Sequence, residues 1–352
     1  MTSILRLPRW VWVSYRFQMK DANLSVPKRT LGRNGPTVSA IGLGCMGMSG
    51  VYGPSDEQES LRTVNAALDA GINLLDTGDF YAMGHNEMLL SRVLKDRRQE
   101  AFVCVKFGAL RSPEGALVGI DARPAAVKNF LAYSLKRLGI DYVDLYQPAR
   151  VDPNVPIEDT VGAMVELKDK GYLRHIGLSE VGPENIRRAA KIHPIAALQI
   201  EYAVVSRSIE QRILPVTREL GISITAYGVL SRGLLSSGHI QPSPGDYRAH
   251  LPRFQAENQA QNQKLISALR SIADRKKCSL AQLAIAWAYH RGNDIVPLIG
   301  ARKVERLNEA LGALQVELTP QDYEEIDREV PIGSIAGDRY PAEGMKALDS
   351  ER

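Results

Sequence analysis

Cysteine is scarce in this chain, and its scarcity excludes two kinds of structural scaffold. The sequence contains three cysteines, Cys45, Cys104 and Cys278, which are widely spaced and set in apolar runs. An odd number without close spacing fits neither a disulfide framework nor a zinc site. The histidines show no metal-ligand spacing either, so we expect core or solvated imidazoles and no bound metal.

The chain also has neither a large charge excess nor a long apolar run. Its 44 basic and 40 acidic residues leave a net charge of +4, which indicates no nucleic-acid groove and no membrane-binding face. No apolar stretch approaches the roughly 18–20 residues that span a bilayer. We therefore expect a soluble, cytoplasmic protein whose partner is a small molecule, with neither nucleic acid nor membrane as a partner.

Acidic residues are missing from the first twenty positions, which carry four cations before the first acid, Asp21. An organelle transit peptide has this composition. Alternatively Met19 is the true start, and the preceding residues arise from the choice of start codon. We favour the second interpretation and expect residues 1–28 to form a disordered extension.

What the chain does contain is a repeated alternation of short apolar runs and amphipathic stretches from about residue 40. The runs are VSAIGLG, INLLD, AFVCVK, YVDLYQ, LRHIGLS, AALQIEY, ISITAYG and IVPLIG. Few charges and many β-branched residues are typical of parallel strands buried on both faces. Eight such units in about 270 residues, with no break in composition, predict one closed (β/α)8 TIM barrel over residues 29–330.

Further elements are predicted at both ends of the barrel. Asn34-Gly35 lies between two strand-like runs and predicts a β-hairpin that closes the bottom of the barrel. Thr319 followed by Pro320 predicts one extra C-terminal helix, after which residues 331–352 form a tail.

Two long connections, roughly residues 108–122 and 234–258, follow strand ends. Barrel active sites are built on that face, so we expect both connections to shape a substrate pocket, although the second also fits a disordered surface loop. We expect Ser55, in a capping box with Gln58, and Asn86 to cap the first two barrel helices.

Polar residues end several of the apolar runs, and three of them suggest chemistry. Asp76 ends INLLD, Lys106 ends AFVCVK, and Tyr81 lies five residues beyond Asp76. Because strand ends converge at one face of a barrel, we expect a carboxylate, an ammonium and a phenol to meet there. A buried lysine beside a tyrosine lowers the phenol pKa from about 10, which favours a general acid. A purely structural Asp76–Lys106 ion pair is the alternative.

The start of the last barrel helix, in the string GARKVER, has the composition of a phosphate site. Gly300 permits a close backbone approach, and Arg302, Lys303 and Arg306 surround the helix start. Free N–H groups with three cations suit a phosphate dianion such as the 2′-phosphate of NADP. A merely solvated basic helix start is the alternative, but it runs against the helix dipole.

Taken together, these strings resemble the aldo-keto reductase superfamily, in the bacterial and plant branch with a GCMGMS opening. The resemblance covers roughly residues 29–330 and rests on ordered motifs: LGCMGMSGVYG, DTGDFYAMGHNE, VKFG, DLYQPARVDP, GLSEV, QIEY, AYGVLSRGLL and PLIGARKVERLNEAL. It implies an NADP-dependent oxidoreductase that reduces aldehydes and activated ketones. Asp76, Tyr81 and Lys106 match three positions of the catalytic tetrad, with Tyr81 as the proton donor.

The resemblance also implies NADPH or NADP⁺ bound in extended form across the barrel mouth, next to the phosphate site at the last helix. The further positions it assigns to cofactor binding are Cys45 and Met46 beside the nicotinamide, Ser179 and Gln199 at its carboxamide, Tyr227 against its ring, and Ser231, Arg232 and Leu234 along the pyrophosphate.

One position departs from the family pattern. The fourth tetrad residue is normally histidine, whereas this chain has Ala149 there. We expect the loss to narrow or weaken catalysis without removing the proton donor. Potassium-channel β subunits share the fold, keep NADP and lack this histidine, so an NADP-binding redox-sensing regulatory protein is the alternative function. We favour the enzyme, because members of the superfamily are mostly reductases.

Overall fold

The computed structural model describes residues 26–237, 240, 242 and 245–352 of the chain, so most of the expected extension 1–28 lies outside the described residues. Strand β1 (Lys28–Thr30) pairs antiparallel with β2 (Thr37–Ser39), which confirms the predicted hairpin. Leu31 and Val38 of this hairpin are fully buried and pack in one cluster with barrel residues such as Leu74 and Val296. The hairpin therefore covers the amino-terminal end of the barrel.

Eight parallel strands close into a barrel, as the sequence predicts. They are β3 (Gly42–Gly44), β4 (Leu74–Gly78), β5 (Phe102–Phe107), β8 (Val143–Pro148), β9 (Leu173–Ser179), β10 (Ala197–Glu201), β11 (Ser223–Tyr227) and β12 (Ile295–Ile299). Each of the eight apolar runs supplies one barrel strand, but the first run also contributes to β2. Its barrel part is short and begins at Gly42, where a Cβ would lie 2.5 Å from Leu74 Cδ2.

Helices surround the barrel and follow its strands. They are α1 (Glu57–Asp69), α2 (His85–Arg97), α3 (Pro124–Leu138), α4 (Ile157–Asp169), α5 (Pro183–Ile192), α6 (Ile209–Leu220), α7 (Leu234–Ser237), α8 (Ala256–Arg275), α9 (Leu280–Tyr289), α10 (Val304–Leu311), α11 (Pro320–Glu329) and α12 (Ala342–Lys346). Helix α11 is the predicted extra helix, and the Thr319 hydroxyl accepts a hydrogen bond from Asp322 N at 3.2 Å. None of the helices in the described part of the chain is both long and apolar enough to cross a membrane.

Both expected caps of the first two barrel helices are wrong. Asp56 caps α1, because its carboxylate accepts a hydrogen bond from Glu59 N at 2.9 Å, whereas Ser55 donates to the Met48 carbonyl. Asn86 lies inside α2, which begins after Gly84. Its side chain is buried and donates to the Cys45 carbonyl at 2.9 Å. This hydrogen bond connects α2 to the turn after β3.

The two long connections and the C-terminal segment contain further short elements. Residues 108–122 form a second hairpin, β6 (Ala109–Arg111) with β7 (Leu117–Ile120). The described part of 234–258 contains α7, two short 3-10 turns and the start of α8. Residues 331–352, hereafter the C-terminal segment, include α12 and a fully buried Leu348.

Candidate active site

The carboxyl-terminal ends of the barrel strands, hereafter the barrel mouth, bring the predicted polar residues to one face. The register between β4 and β5 sets Gly78 opposite Lys106, so Asp76 and Lys106 lie on neighbouring strands. Ser179 ends β9 and Gln199 lies in β10, opposite each other.

Asp76 is the centre of a buried hydrogen-bonded group. Lys106 Nζ lies 2.7 Å from both carboxylate oxygens, and Gln199 Nε2 donates to Asp76 Oδ1 at 2.7 Å. Burial alone would lower the pKa of Lys106, but Asp76 and Tyr81 outweigh it and raise that pKa above its ordinary value. The ammonium therefore stays charged and oriented. Gln199 keeps its amide oxygen and one amide hydrogen for further partners.

Tyr81 lies beside this ion pair, with Lys106 Nζ 5.0 Å from the centre of its ring. Burial raises the pKa of Tyr81 to about 12, although the charge of Lys106 opposes the shift. The expected lowering of this pKa is therefore wrong, because the loss of hydration outweighs the nearby ammonium. The phenol keeps its proton at neutral pH, as a proton donor must.

Strained backbone is concentrated around the mouth. Ala82 and Met83, directly after Tyr81, have φ of 46° and 51°, and Glu180, Ser231 and Arg232 are also left-handed. Such conformations cost about 1–3 kcal/mol each in non-glycine residues and are typical of functional sites. Five of the six non-glycine residues with positive φ in the described ranges lie on loops that follow barrel strands.

The turn after β3 is attached directly to the strand that carries Asp76. Cys45 N donates to the Asp76 carbonyl at 2.9 Å, and Cys45 itself is fully buried. Met46 follows in a short 3-10 turn and remains partly accessible. The structure thus places Cys45 against the strand that carries Asp76, with Met46 next to it in the chain.

The start of α10 carries the three predicted cations in an accessible position. Arg302 donates to the carbonyls of Tyr52, Gly53 and Pro54 at 3.1–3.5 Å, whereas Lys303 is exposed and Arg306 pairs with Glu309 at 2.8 Å. A Cβ at Gly300 would meet nothing within 4 Å, so the surface there is open.

An acid that the sequence did not single out lies at the same helix start. Glu59 Oε1 accepts a hydrogen bond from Val304 N at 3.2 Å. Glu59 comes from α1, and no local sequence signal places it against a helix that begins 245 residues later. It supplies a negative charge where the sequence predicts a phosphate.

A group of buried charges that the sequence also missed lies at the ends of β9 and β10. Glu180 and Glu201 have fully buried side chains directly after β9 and at the end of β10. Their contacts are Arg339 with both oxygens of Glu180 at 2.9 Å, Arg253 with Glu201 at 3.0 Å, and Arg232 with Glu201 at 3.1 Å. Arg232, predicted along a pyrophosphate, is therefore paired within the protein. Leu234, beside it, is buried.

The C-terminal segment reaches the mouth through Arg339 and Tyr340. The Tyr340 hydroxyl lies 2.9 Å from that of Tyr227, which donates to Glu180 Oε1 at 2.7 Å. The guanidinium of Arg232 lies 4.8 Å from the centre of the Tyr340 ring. The predicted aromatic Tyr227 therefore lies at the mouth, and its hydroxyl contacts a second tyrosine from the end of the chain.

Glu180 makes the stability of this arrangement depend on pH. Burial opposes ionisation, but Arg339, Arg150 and the Ser350 hydroxyl stabilise the carboxylate and lower the pKa of Glu180 to about 2. The unfolded chain binds this proton near pH 4.5, so the stabilisation is present above that pH and is lost as pH falls toward 2. It amounts to roughly 3 kcal/mol, since each pKa unit corresponds to about 1.4 kcal/mol.

We therefore expect Glu180→Gln to flatten the loss of unfolding free energy between pH 5 and pH 3. Urea unfolding of both proteins at pH 5 and pH 3 measures this loss. Glu219→Gln is the control, because Glu219 is exposed and paired with Arg187 at the surface. The wild type and Glu180→Gln losing equal stability over this interval would contradict the assignment.

Among the described residues, no group of three or more histidine, cysteine or acidic side chains lies together as metal ligands would. The fold and the mouth define a parallel β/α-barrel protein with a protonated phenol beside a buried carboxylate–ammonium pair. Such a group of side chains is suited to proton transfer.

Comparison with known proteins gives the family. The model of the aldo/keto reductase family matches residues 40–330, and the chain belongs to that family. Over 315 residues it is 41% identical to "Probable aldo-keto reductase 1" of Glycine max, covering 88% of this chain and 90% of that protein.

Solved structures agree with this assignment. The glycerol dehydrogenase AKR11B4 of Gluconobacter oxydans superposes with a TM-score of 0.78 at 28% identity, over 87% of this chain and 95% of its own. The holo form of the aldo-keto reductase AKR11C1 of Bacillus halodurans gives 0.71 at 27% identity, over 87% and 96%. The family consists of oxidoreductases that act on carbonyl compounds with a nicotinamide cofactor.

Proposed function

We propose that this protein reduces aldehydes and activated ketones to alcohols with NADPH, and that Tyr81 donates the proton. The observation that carries the proposal is the Tyr81 phenol, protonated at neutral pH beside the Lys106–Asp76 pair. NADPH supplies the hydride when it is bound. The substrate carbonyl would accept a hydrogen bond from the Tyr81 hydroxyl, which then releases its proton to the forming alkoxide.

The neighbouring residues would support this proton transfer. The Lys106 ammonium stabilises the phenolate that remains, and Asp76 fixes the ammonium in place from 2.7 Å. Ser179 and Gln199 can hold a carboxamide, because Gln199 keeps its amide oxygen and one amide hydrogen after its hydrogen bond to Asp76. Tyr227 offers a ring at the mouth, and Cys45 and Met46 form the wall next to Asp76.

The start of α10 fits the phosphate end of NADPH. Gly300 is open to a close approach, and Arg302, Lys303 and Arg306 supply positive charge around the free helix N–H groups. Glu59 acts against an anion at this place, since it already occupies the Val304 N–H. We propose that the three cations outweigh it and that the cofactor is NADP rather than NAD.

This cofactor assignment predicts two opposite effects. Arg306→Ala should weaken NADPH binding about 10-fold and NADH binding far less, because a hydrogen bond to a charged group contributes about 1.5–3 kcal/mol. Glu59→Gln should tighten NADPH binding, because it removes a negative charge. Fluorescence titration of both cofactors measures the two constants, with Arg328→Ala on the surface of α11 as control. Equal wild-type affinities for NADPH and NADH would contradict the assignment.

Ala149 sets the expected substrate range. It is buried and carries no group that could polarise a carbonyl. Aldehydes and activated ketones need little polarisation, whereas one oriented hydrogen bond in such a site can change the rate by roughly 10²–10³. We therefore propose that plain ketones react poorly.

Kinetics with a nitrobenzaldehyde and a diketone test the function. Rapid oxidation of stoichiometric NADPH followed by repeated turnover supports the reductase. The missing imidazole at Ala149 also fits a second candidate, an NADP-binding redox sensor. That candidate requires bound NADPH to stay reduced for minutes with every carbonyl, and turnover near zero.

A further inference from the structure

Arg150 differs from the other arginines of the mouth in having no carboxylate partner. Within the described ranges no carboxylate oxygen lies within 4.0 Å of its guanidinium. The hydrogen bond it does make runs from Nη1 to the carbonyl of the preceding residue, Ala149, at 2.6 Å. Arg232, Arg253 and Arg339 each contact a buried glutamate instead.

Its place in the fold puts Arg150 at the site of the proposed chemistry. Lys106 lies opposite Gln147 in the register of β5 and β8, and Ala149 N donates to the Phe107 carbonyl at 2.8 Å. Arg150 is the next residue, so it begins the loop directly beside the strand end that carries Lys106.

The C-terminal segment gives Arg150 an aromatic neighbour. The guanidinium lies 5.7 Å from the centre of the Tyr340 ring. The Tyr340 hydroxyl also lies 2.9 Å from that of Tyr227, so Tyr340 lies between Arg150 and the tyrosine at the end of β11.

Arg150 keeps its charge in this position. Burial lowers its pKa, but Tyr340, Tyr227 and Glu180 act in the opposite direction and raise it above the ordinary value. Glu180 stabilises this charge only from beyond salt-bridge distance, so a ligand anion can still contact the guanidinium directly. A guanidinium presents a planar pair of donors that matches a carboxylate or a phosphate group.

We propose that Arg150 binds an anionic group of the substrate, and that the protein reduces carbonyl compounds that carry a carboxylate or a phosphate ester. This inference rests on the proposed reductase function and adds the class of substrate. The carbonyl would lie at Tyr81, and the anion would lie on the Arg150 side of the mouth, under Tyr340.

Matched pairs of substrates test the inference. 4-Carboxybenzaldehyde is compared with methyl 4-formylbenzoate, 4-oxobutanoate with its methyl ester, and 4-formylphenyl phosphate with 4-methoxybenzaldehyde. For at least one pair we expect wild-type kcat/KM to favour the anion, and Arg150→Met to lower this preference at least 10-fold, mainly through KM. Arg150→Lys should retain part of the preference, because the charge remains. The pair with the largest preference distinguishes carboxylate from phosphate.

The control variant is Arg174→Met. Arg174 is exposed near the start of β9, at the opposite end of the barrel, and its guanidinium also lies over a tyrosine, 4.1 Å from the centre of the Tyr142 ring. The Arg174→Met substitution should leave the preference for the anionic substrate unchanged in every pair. Preferences that are the same in the wild type and Arg150→Met for all three pairs would overturn the inference. A loss of NADPH affinity in Arg150→Met with no change in preference would overturn it too, by assigning Arg150 to the cofactor.

A binding measurement separates this inference from the reductase function. Calorimetry with 4-(hydroxymethyl)benzoate and 4-hydroxymethylphenyl phosphate, which need no turnover, should detect binding of at least one of them to the wild-type protein with NADP⁺ and much weaker binding to Arg150→Met. Binding of this kind without any carbonyl reduction would reject the reductase and keep the anion site. Reduction of the neutral aldehydes without Arg150-dependent binding of either anion would reject the anion site and keep the reductase.

Discussion

Replacing Tyr81 by Phe should lower kcat for aldehyde reduction roughly 10²–10⁴-fold, the usual contribution of a positioned general acid. The change removes one hydroxyl and keeps the ring, so the neighbouring Phe80 and the Lys106 ammonium keep their aromatic contacts. NADPH affinity should stay nearly unchanged, since the hydroxyl acts on the transition state and not on the bound cofactor.

Steady-state kinetics with a nitrobenzaldehyde and fluorescence titration of NADPH measure the two quantities. Tyr133→Phe is the matched control, because Tyr133 is exposed on α3 and should keep the wild-type rate. A Tyr81→Phe protein that kept nearly full rate on the aldehyde would show that another group supplies the proton.

The pH profile offers an independent measurement of the same group. A free tyrosine loses its proton near pH 10, whereas burial raises the pKa of Tyr81 to about 12. The reduction rate should therefore not decline through loss of the Tyr81 proton at pH 10.

The barrel could be predicted from sequence because its signal is local and repeated. Each strand is a short apolar run, and parallel strands buried on both faces require such runs. The predictions of the helix caps failed because the choice of cap is not a local property of the sequence. Ser55 and Asp56 are adjacent and both suit a cap, and only the three-dimensional path of the chain gives Ser55 a different partner, the Met48 carbonyl.

The candidate site was predictable only where it follows strand ends. Asp76 and Lys106 end apolar runs, and the closure of the barrel brings them together. Arg339 and Tyr340 come from the end of the chain, and Arg339 meets a partner 159 residues away, Glu180. No periodicity or motif records such a contact. The sequence shows the ammonium near Tyr81 but not the burial that outweighs it, which is why the expected pKa of Tyr81 is wrong.

The Asp76–Lys106 pair has a structural interpretation and a catalytic one, and Lys106→Met addresses both. The two side chains are only 6% and 5% exposed, so the substitution would leave the Asp76 carboxylate buried without its counter-ion. We expect the free energy of unfolding to fall by about 3–5 kcal/mol. The exposed Lys128–Glu166 pair is the control, and Lys128→Met should cost no more than about 1 kcal/mol.

The double variant Asp76→Asn/Lys106→Met separates the two interpretations, because it removes both charges and lets the remaining amide keep its hydrogen bond with Gln199. If the pair is only structural, the double variant recovers stability and activity together. We expect most of the stability to return while kcat stays at least about 10²-fold below that of the wild type. The reason lies in Tyr81: burial already raises its pKa to about 12, and without the Lys106 charge to oppose that shift the phenol becomes a weaker acid for the forming alkoxide. Urea unfolding and aldehyde kinetics on the same protein samples measure both quantities. A double variant with wild-type turnover would show that Lys106 has only a structural role.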